Sequence, residues 1–430
     1  MKMLVLGAAV SGRAAARLGR TLGNDVSIYD ERLNAVSTLG AEFEVHAGEW
    51  RSETLDEVEL VVTSPGFPEH QGALPDVLSA GIPLVSEMEF AAAQLTTRYA
   101  AVTGTNGKTT VTSVAADMLR GSGIDAVAAG NIGTALSDIV LDPPDVVVIE
   151  ASSFQLRFID RFHPSAAAIL NIAPDHLDWH EDLGEYTAAK QRIFQNQSPD
   201  DILVYDADDD GASAAVEPAR ARLVPVSGSH LPAGGSGPDG ANLIIGNAIV
   251  ARPDLDRAYT MDLVAAATIA SHLGASAQGI GRAISSFAPG DHRRAVIGRW
   301  NGVTWVNDSK ATNPHAAVAS VEAFPSVVLI AGGRNKGLDL SAIVAVPGVR
   351  KVIGIGEAAT EFAAATDADK FSMATGLADA VAIADSLARS GDTVLLAPGC
   401  ASFDMFESYA ARGNEFARLI HELKGEPNGN

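Results

Sequence analysis

Short apolar runs recur along the chain, each closed by a glycine-rich or polar turn and most followed by a stretch with helical spacing. Residues 2–7, Val26–Tyr29 and Leu60–Thr63 come first, with an Ala/Arg/Leu helix pattern after Gly12. Tyr99–Val102, Val146–Glu150 and Ala166–Ile172 follow, then Val303–Val306, Val327–Ala331, Lys351–Ile355 and Thr393–Ala397. Strand, helix, strand at this spacing predicts parallel βαβ sheets. Leu255–Leu273 is helical in pattern. Pro225–Asn242, rich in Gly, Ser and Pro, reads as surface loops.

One hydrophobic core rarely organises a chain of 430 residues, so several domains are expected. The fold class reads as α/β in three domains. Residues 1–93 form a Rossmann-like domain, 94–292 a central P-loop ATPase-like domain with a mostly parallel sheet, and 293–430 a C-terminal Rossmann-like α/β domain. Gly425–Asn430 reads as a disordered tail.

Composition narrows the function classes. The formal net charge of −22 repels nucleic acid and anionic lipid, so neither is expected as a general partner. An anionic substrate then needs a local cationic site. Cys400 is the one cysteine, which excludes an intrachain disulfide and suits the cytoplasm. No run of about 18 apolar residues suggests a membrane span. The first residues run straight into an expected strand, without the apolar core of a signal peptide.

Two loops carry the first candidate chemistry. Gly7–Gly12 lies between a strand and a helix, where a dinucleotide fold places its phosphate turn. Ala9 stands where that fingerprint has its middle glycine, which argues against a redox dinucleotide. Asp30, at the end of the second strand, reads either as an acceptor for a ribose or base or as a solvated acid. Ser64-Pro65-Gly66 ends the third strand and reads equally well as just a turn.

The second loop is the stronger signal. Gly104-Thr105-Asn106-Gly107-Lys108-Thr109-Thr110 follows one strand and opens a helix. Glycines there let successive N–H groups face a phosphate, the helix N-terminus adds partial positive charge, Lys108 supplies a cation and the Thr109 hydroxyl suits Mg²⁺. Glu150 closes an apolar strand, a usual place for a Mg²⁺ ligand near a phosphate loop. His176, in the polar stretch Asn171–Asp178, reads as a metal or substrate ligand or as an exposed histidine. Lys190 reads on its own as a solvated helix position. Arg293 opens the third domain, Asp308 and Lys310 follow its first strand, and Lys336 sits in the glycine-rich turn Gly332–Gly337. Cys400 reads as a packed small residue.

Together these residues resemble the Mur ligase family, over almost the whole chain. The resemblance implies ATP and Mg²⁺, as one or two ions that Mn²⁺ can replace. It implies a catalytic set of Lys108, His176, Lys190 and Arg293. The ATP site would comprise Gly104, Thr105, Asn106, Gly107, Lys108, Thr109, Thr110, Arg293, Asp308 and Lys310. Metal would be held by Thr109, Glu150, His176 and Lys190, the last as an N-carboxylated carbamate.

Glu150–Leu156, Asn307–Asn313 and Ala397–Phe406 are similar to the branch of the family that adds D-glutamate to UDP-N-acetylmuramoyl-L-alanine. On that resemblance Ser11, Asp30, Arg32, Ser64, Asn131 and His176 would hold the UDP-sugar, and Thr312, Lys336, Ser402 and Phe403 the D-glutamate. A monomer is expected. Asp262 departs from the pattern, since the family often has an adenine-contacting asparagine there. A folylpolyglutamate synthetase and a nucleotide-dependent switch remain as alternatives.

Overall fold

Strand β1 (Lys2–Leu6) is buried from Met3 onward, as a central parallel strand covered on both faces should be. It sits between β2 (Asp25–Asp30) and β4 (Leu60–Thr63), with β3 (Glu44–Ala47) and β5 (Leu84–Ser86) at the edges. All pairings are parallel in the order β3-β2-β1-β4-β5. The order reverses between β1 and β4, so the loops after those two strands diverge there and leave a crevice.

This computed structural model describes residues 1–32, 42–67, 72–177 and 179–425. The tail expected beyond Gly425 lies outside the described residues. The chain gathers into two compact units, Met1–Ile172 with Trp179–Phe287, and Ala173–Asp178 with Ala288–Asn430.

The first unit holds a second parallel sheet, ordered β11-β10-β9-β6-β8-β7. Its strands are β6 (Arg98–Thr103), β7 (Ala126–Gly130), β8 (Val146–Glu150), β9 (Ala166–Ile169), β10 (Ile202–Asp206) and β11 (Arg222–Val226). A continuous core runs from Met3, Val5 and Val62 of the first sheet to Ala101, Ile149 and Leu203 of the second. The short helix Glu87–Ala92 ties the two sheets. The buried Glu87 accepts from the Ser137 N–H at 2.7 Å, and Glu89 from the N–H groups of Arg161 and Phe162 at 2.8 and 3.0 Å.

The stretch expected to be loops, Pro225–Asn242, contributes to an antiparallel meander. It holds β12 (Gly237–Asp239) and the first residue of β13 (Asn242–Ile245), which pairs with β14 (Ala248–Ala251). The turn residues are real, but three short antiparallel strands need only brief extended segments between them. Pro225 itself lies in β11, an edge strand, where a missing N–H is tolerated.

The second unit is built on a six-stranded sheet ordered β15-β16-β20-β17-β18-β19. Strands β16 (Val303–Asn307), β17 (Val327–Gly332), β18 (Val349–Ile355), β19 (Phe371–Met373) and β20 (Thr393–Leu396) run parallel. β15 (Ala295–Trp300) pairs antiparallel with β16, which makes the sheet mixed. Cores lie on both faces, one around Trp305 and Phe416, the other around Val306 and Phe362.

Candidate functional site

The crevice of the first sheet is a cleft of about 300 Å³ lined by Ser11, Ser64, Pro65, Asn131, Gly133 and Gln155, among others. The helix Val10–Thr21 opens on it with no side-chain cap. Its first N–H groups therefore favour an anion. Gly12 is indispensable to that approach, because a Cβ there would lie 1.8 Å from the Gly7 carbonyl oxygen. Ala9, by contrast, is accommodated at the helix cap. Two buried polar atoms, Ser64 Oγ and Gln155 Nε2, have no hydrogen-bond partner among the described residues. A polar ligand would satisfy both.

Of the residues expected to hold a UDP-sugar, Ser11, Ser64 and Asn131 share this cleft. Asp30 and Arg32 are not among its lining residues. Asp30 is 3% exposed and accepts from the Ala8 N–H at 2.8 Å and from the Arg32 N–H and Nε at 2.9 and 3.1 Å. Burial pushes its carboxyl up, but the Arg32 and Ala8 hydrogen bonds outweigh that and hold it below the usual carboxylate range. It braces the loop rather than standing as a solvated acid. His176 belongs to the second unit.

In the second sheet the helix Lys108–Arg120 begins directly after the phosphate loop, with Gly107 as a left-handed cap at φ +86°. Asn171, just beyond β9, brackets that loop. Its Oδ1 accepts from the Asn106 N–H at 2.7 Å, and its carbonyl from the Thr105 N–H at 2.9 Å. Lys108 Nζ donates to the carbonyls of Gly104 and Thr105 at 2.8 and 3.0 Å. Its ammonium is thus held at the loop into which a phosphate would come. Thr109 and Thr110 are the next residues of the helix. Asp262 lies against the loop, its Oδ1 2.5 Å from where a Cβ on Gly107 would be.

Glu150 ends β8 beside β6, with Val102 as its register partner. It is 3% exposed. Oε1 accepts from Asn131 Nδ2 at 2.9 Å, whereas Oε2 is buried without a partner among the described residues. An anionic oxygen left bare beside a phosphate loop costs free energy unless a cation meets it. Glu150 and the Thr109 hydroxyl suit Mg²⁺, which takes few protein ligands and completes its shell with water and phosphate. Among the described residues no three His, Cys, Asp or Glu side chains cluster as a metal centre.

Lys190 is not the solvated helix residue that its local sequence suggests. It is 1% exposed, donates to the Gly104 carbonyl at 2.9 Å, and lies 4.5 Å from the centroid of the Tyr186 ring. Tyr186 in turn places its hydroxyl 3.1 Å from Thr105 Oγ1. The helix Leu183–Gln191 therefore delivers both side chains to the phosphate loop. Sequence reasoning passed over Asn171, Gln155 and Tyr186. An amide ending an apolar strand was the available signal for Asn171.

In the second unit the expected residues collect at the carboxyl ends of β16, β17 and β20. Asp308 accepts from the Arg294 N–H at 3.2 Å. Burial drives its carboxyl above the usual range, against the Ser320 hydroxyl and the charges of Arg294 and Arg293. Lys310 Nζ lies 3.9 Å from the centroid of the Tyr409 ring, and Thr312 donates its N–H to the Lys310 carbonyl at 2.8 Å. Lys336 donates to Asp175 at 2.8 Å. Ser402 is buried, while Phe403 is 67% exposed. The loops after β17 and β20 are joined by mutual backbone bonds between Arg334 and Ala401 at 2.9 and 3.0 Å. Arg412, wholly buried, ties Ser309 to the Cys400 carbonyl. Burial pushes the Cys400 thiol up to about 12, so it is inert packing.

A glycine-rich loop opening a helix, a buried strand-end carboxylate and a polar cleft lie within one unit, an arrangement that suits an enzyme acting on a nucleotide phosphate. The Mur ligase MurD-like N-terminal domain matches residues 1–86, the Mur ligase middle domain residues 102–229, and the Mur ligase glutamate ligase domain residues 292–400. The chain belongs to the Mur ligase family and has its three-domain architecture.

The UDP-N-acetylmuramoylalanine–D-glutamate ligase of Frankia casuarinae is 40% identical, over 99% of this chain and 95% of the relative. The enzyme of the same name from Natranaerobius thermophilus is 35% identical over 99% of each chain. Among solved structures, MurF from Acinetobacter baumannii is similar in fold with a TM-score of 0.63, 15% identity, and coverage of 97% of this chain and 93% of that one. MurC from Thermotoga maritima has a TM-score of 0.56 at 15% identity, covering 99% and 100%.

Proposed function

We propose that this chain is an ATP-dependent ligase that joins D-glutamate to UDP-N-acetylmuramoyl-L-alanine in peptidoglycan precursor synthesis. The observation that carries the reading is full-length identity of 35–40% to relatives bearing that name. The cleft of Ser11, Ser64, Asn131 and Gln155 takes the UDP-sugar, its diphosphate at the Val10–Thr21 helix. Asp30 and Arg32 serve that site at its edge. The loop Gly104–Thr110 takes the ATP phosphates, and on the family resemblance Arg293, Asp308 and Lys310 are the residues of the second unit that serve ATP.

The substrate carboxylate attacks the γ-phosphorus, the bond to the β-phosphate oxygen breaks, and ADP leaves with an acyl-phosphate formed. The D-glutamate amine then attacks the acyl carbon, phosphate leaves and the amine proton is lost. Lys108 and Arg293 offset charge on the transferring group. Glu150 and Thr109 would hold Mg²⁺, which would supply Lewis-acid stabilisation of the same charge. His176 and Lys190, the latter as a carbamate, would be the ligands of a second ion on the family resemblance, and Mn²⁺ would be able to replace Mg²⁺. Thr312, Lys336, Ser402 and Phe403 receive D-glutamate. The enzyme works in the cytoplasm as a monomer. Among the described residues no helix is long and apolar enough to cross a membrane.

The test is ADP release from Mg-ATP and UDP-N-acetylmuramoyl-L-alanine, with D-glutamate, L-glutamate or neither. Release that requires D-glutamate, with a matching gain in mass of the UDP-sugar, is expected. Release indifferent to D-glutamate overturns the reading.

A further inference from the structure

One side chain belongs to both the cleft and the metal acid. Asn131 follows β7, and the left-handed Gly130 before it (φ +100°) presses so close to β8 that a Cβ would lie 2.5 Å from the Glu150 carbonyl oxygen. The Asn131 N–H donates to that same carbonyl at 2.9 Å. Main chain and side chain are therefore both anchored on Glu150, the side chain through Nδ2 to Oε1 at 2.9 Å. This contact selects which carboxylate oxygen remains bare, namely Oε2. On its other side Asn131 is exposed and lines the cleft with Ser11 and Ser64. An amide whose NH₂ is committed to a carboxylate has its Oδ1 as the acceptor left to offer a ligand.

We propose that Asn131 is a positioning residue that couples occupation of the cleft to metal binding at Glu150. A cleft ligand that donates to Asn131 Oδ1 fixes the amide plane. The fixed amide holds Glu150 with Oε2 directed to the cation. Binding of each ligand then strengthens the other by the same factor, as linkage requires. The identity of the cleft ligand rests on the function proposed above.

The experiment is a Mn²⁺ titration of the full-length protein without nucleotide, following free Mn²⁺ by electron paramagnetic resonance, with and without saturating UDP-N-acetylmuramoyl-L-alanine. Glu150→Gln supplies the background of metal held by the ligand's own diphosphate. In the wild type, the Mn²⁺ Kd is expected to tighten about five-fold with the UDP-sugar, at the low end of usual couplings. In Asn131→Ala both ligands still bind, and the factor drops below about two-fold.

Ser11→Ala is the second variant. It weakens the cleft ligand yet keeps the wild-type coupling, which general loosening of the fold would not do. Coupling retained in Asn131→Ala, or lost in Ser11→Ala, overturns the proposal. A wild type that binds the UDP-sugar with no change in Mn²⁺ affinity overturns it too, and leaves the ligase reading intact. A wild type that does not bind the UDP-sugar removes both.

Discussion

Lys336 Nζ lies 2.8 Å from Asp175 Oδ1, so the cation assigned to an incoming carboxylate is already paired with a carboxylate of the chain. Asp175 is 5% exposed, and its second oxygen accepts from Asn313 Nδ2 at 3.0 Å. Burial pushes the Asp175 carboxyl up, but the charges of His176 and Lys336 and the bonds from Lys336 and Asn313 outweigh it and leave the group below its ordinary value. A substrate carboxylate that reaches Lys336 must compete with this pair.

Removing one partner of a largely buried pair strands the other. Lys336→Met should raise the KM for D-glutamate at least ten-fold and destabilise the second unit by about 2 kcal/mol, discounted from the fully buried case because Lys336 is partly exposed. Asp175→Asn placed in that background should restore part of the stability and none of the KM. Calorimetry and steady-state kinetics on the three proteins decide it. A double variant no more stable than Lys336→Met would show that the stranded charge is not the cause.

Lys108 should matter for chemistry and not for the sugar. It is held by the phosphate loop and does not line the cleft. Lys108→Ala is expected to lower kcat by about 10²–10³, the scale of one lost transition-state donor. Titration calorimetry should find UDP-N-acetylmuramoyl-L-alanine binding unchanged. Near-normal turnover would remove Lys108 from the mechanism.

How much of this was legible depended on whether the signal was local. Gly104–Thr110 declares itself because every part of a phosphate loop lies within a few residues, and β6, β8 and the buried strands of the second unit show as plain apolar runs. Lys190 was illegible from its own helix. Leu183–Gln191 has no clear apolar stripe, and beside the local Tyr186 contact the lysine is buried against the loop carbonyl of Gly104, 86 residues away in sequence. The roles of Lys190, Asn131 and His176 came from family resemblance. The bond from Asn131 to Glu150 needs the register of β7 on β8, which no single segment encodes. β12–β14 were missed because glycine and proline mark turns without counting the short strands between them.

The first loop gives a steric prediction. A Cβ on Gly12 would meet the Gly7 carbonyl oxygen at 1.8 Å and Ser64 Oγ at 3.0 Å. The first of these is backbone and cannot rotate away. Gly12→Ala should therefore displace both walls of the cleft, weakening UDP-sugar binding by about 100-fold or more, roughly 3 kcal/mol. ATP binding, served by a different loop, should stay within about two-fold. Equal losses for both ligands would point instead to general unfolding, which circular dichroism would reveal.

Asp206, at the end of β10, gives a pH prediction whose sign differs from that of a salt-bridged acid. Burial pushes its carboxyl from 3.8 up to about 6; Asp208 and Asp209 add to this, while the Asp208 N–H and Arg257 oppose it. Between those values the folded chain holds a proton that the unfolded chain has released. Stability therefore falls as pH rises through the window from about 4 to 6, and above it the full penalty of a buried carboxylate is present. At about 1.4 kcal/mol per unit the cost is at most ~3 kcal/mol. Asp206→Asn keeps an acceptor for the Asp208 N–H, 2.9 Å away, and has no charge to bury. Thermal midpoints should coincide for variant and wild type at pH 4, separate through pH 6, and leave the variant higher by several degrees at pH 8. A gap independent of pH would mean that Asp206 is not the titrating group, and a variant less stable at pH 8 would mean that its charge is compensated.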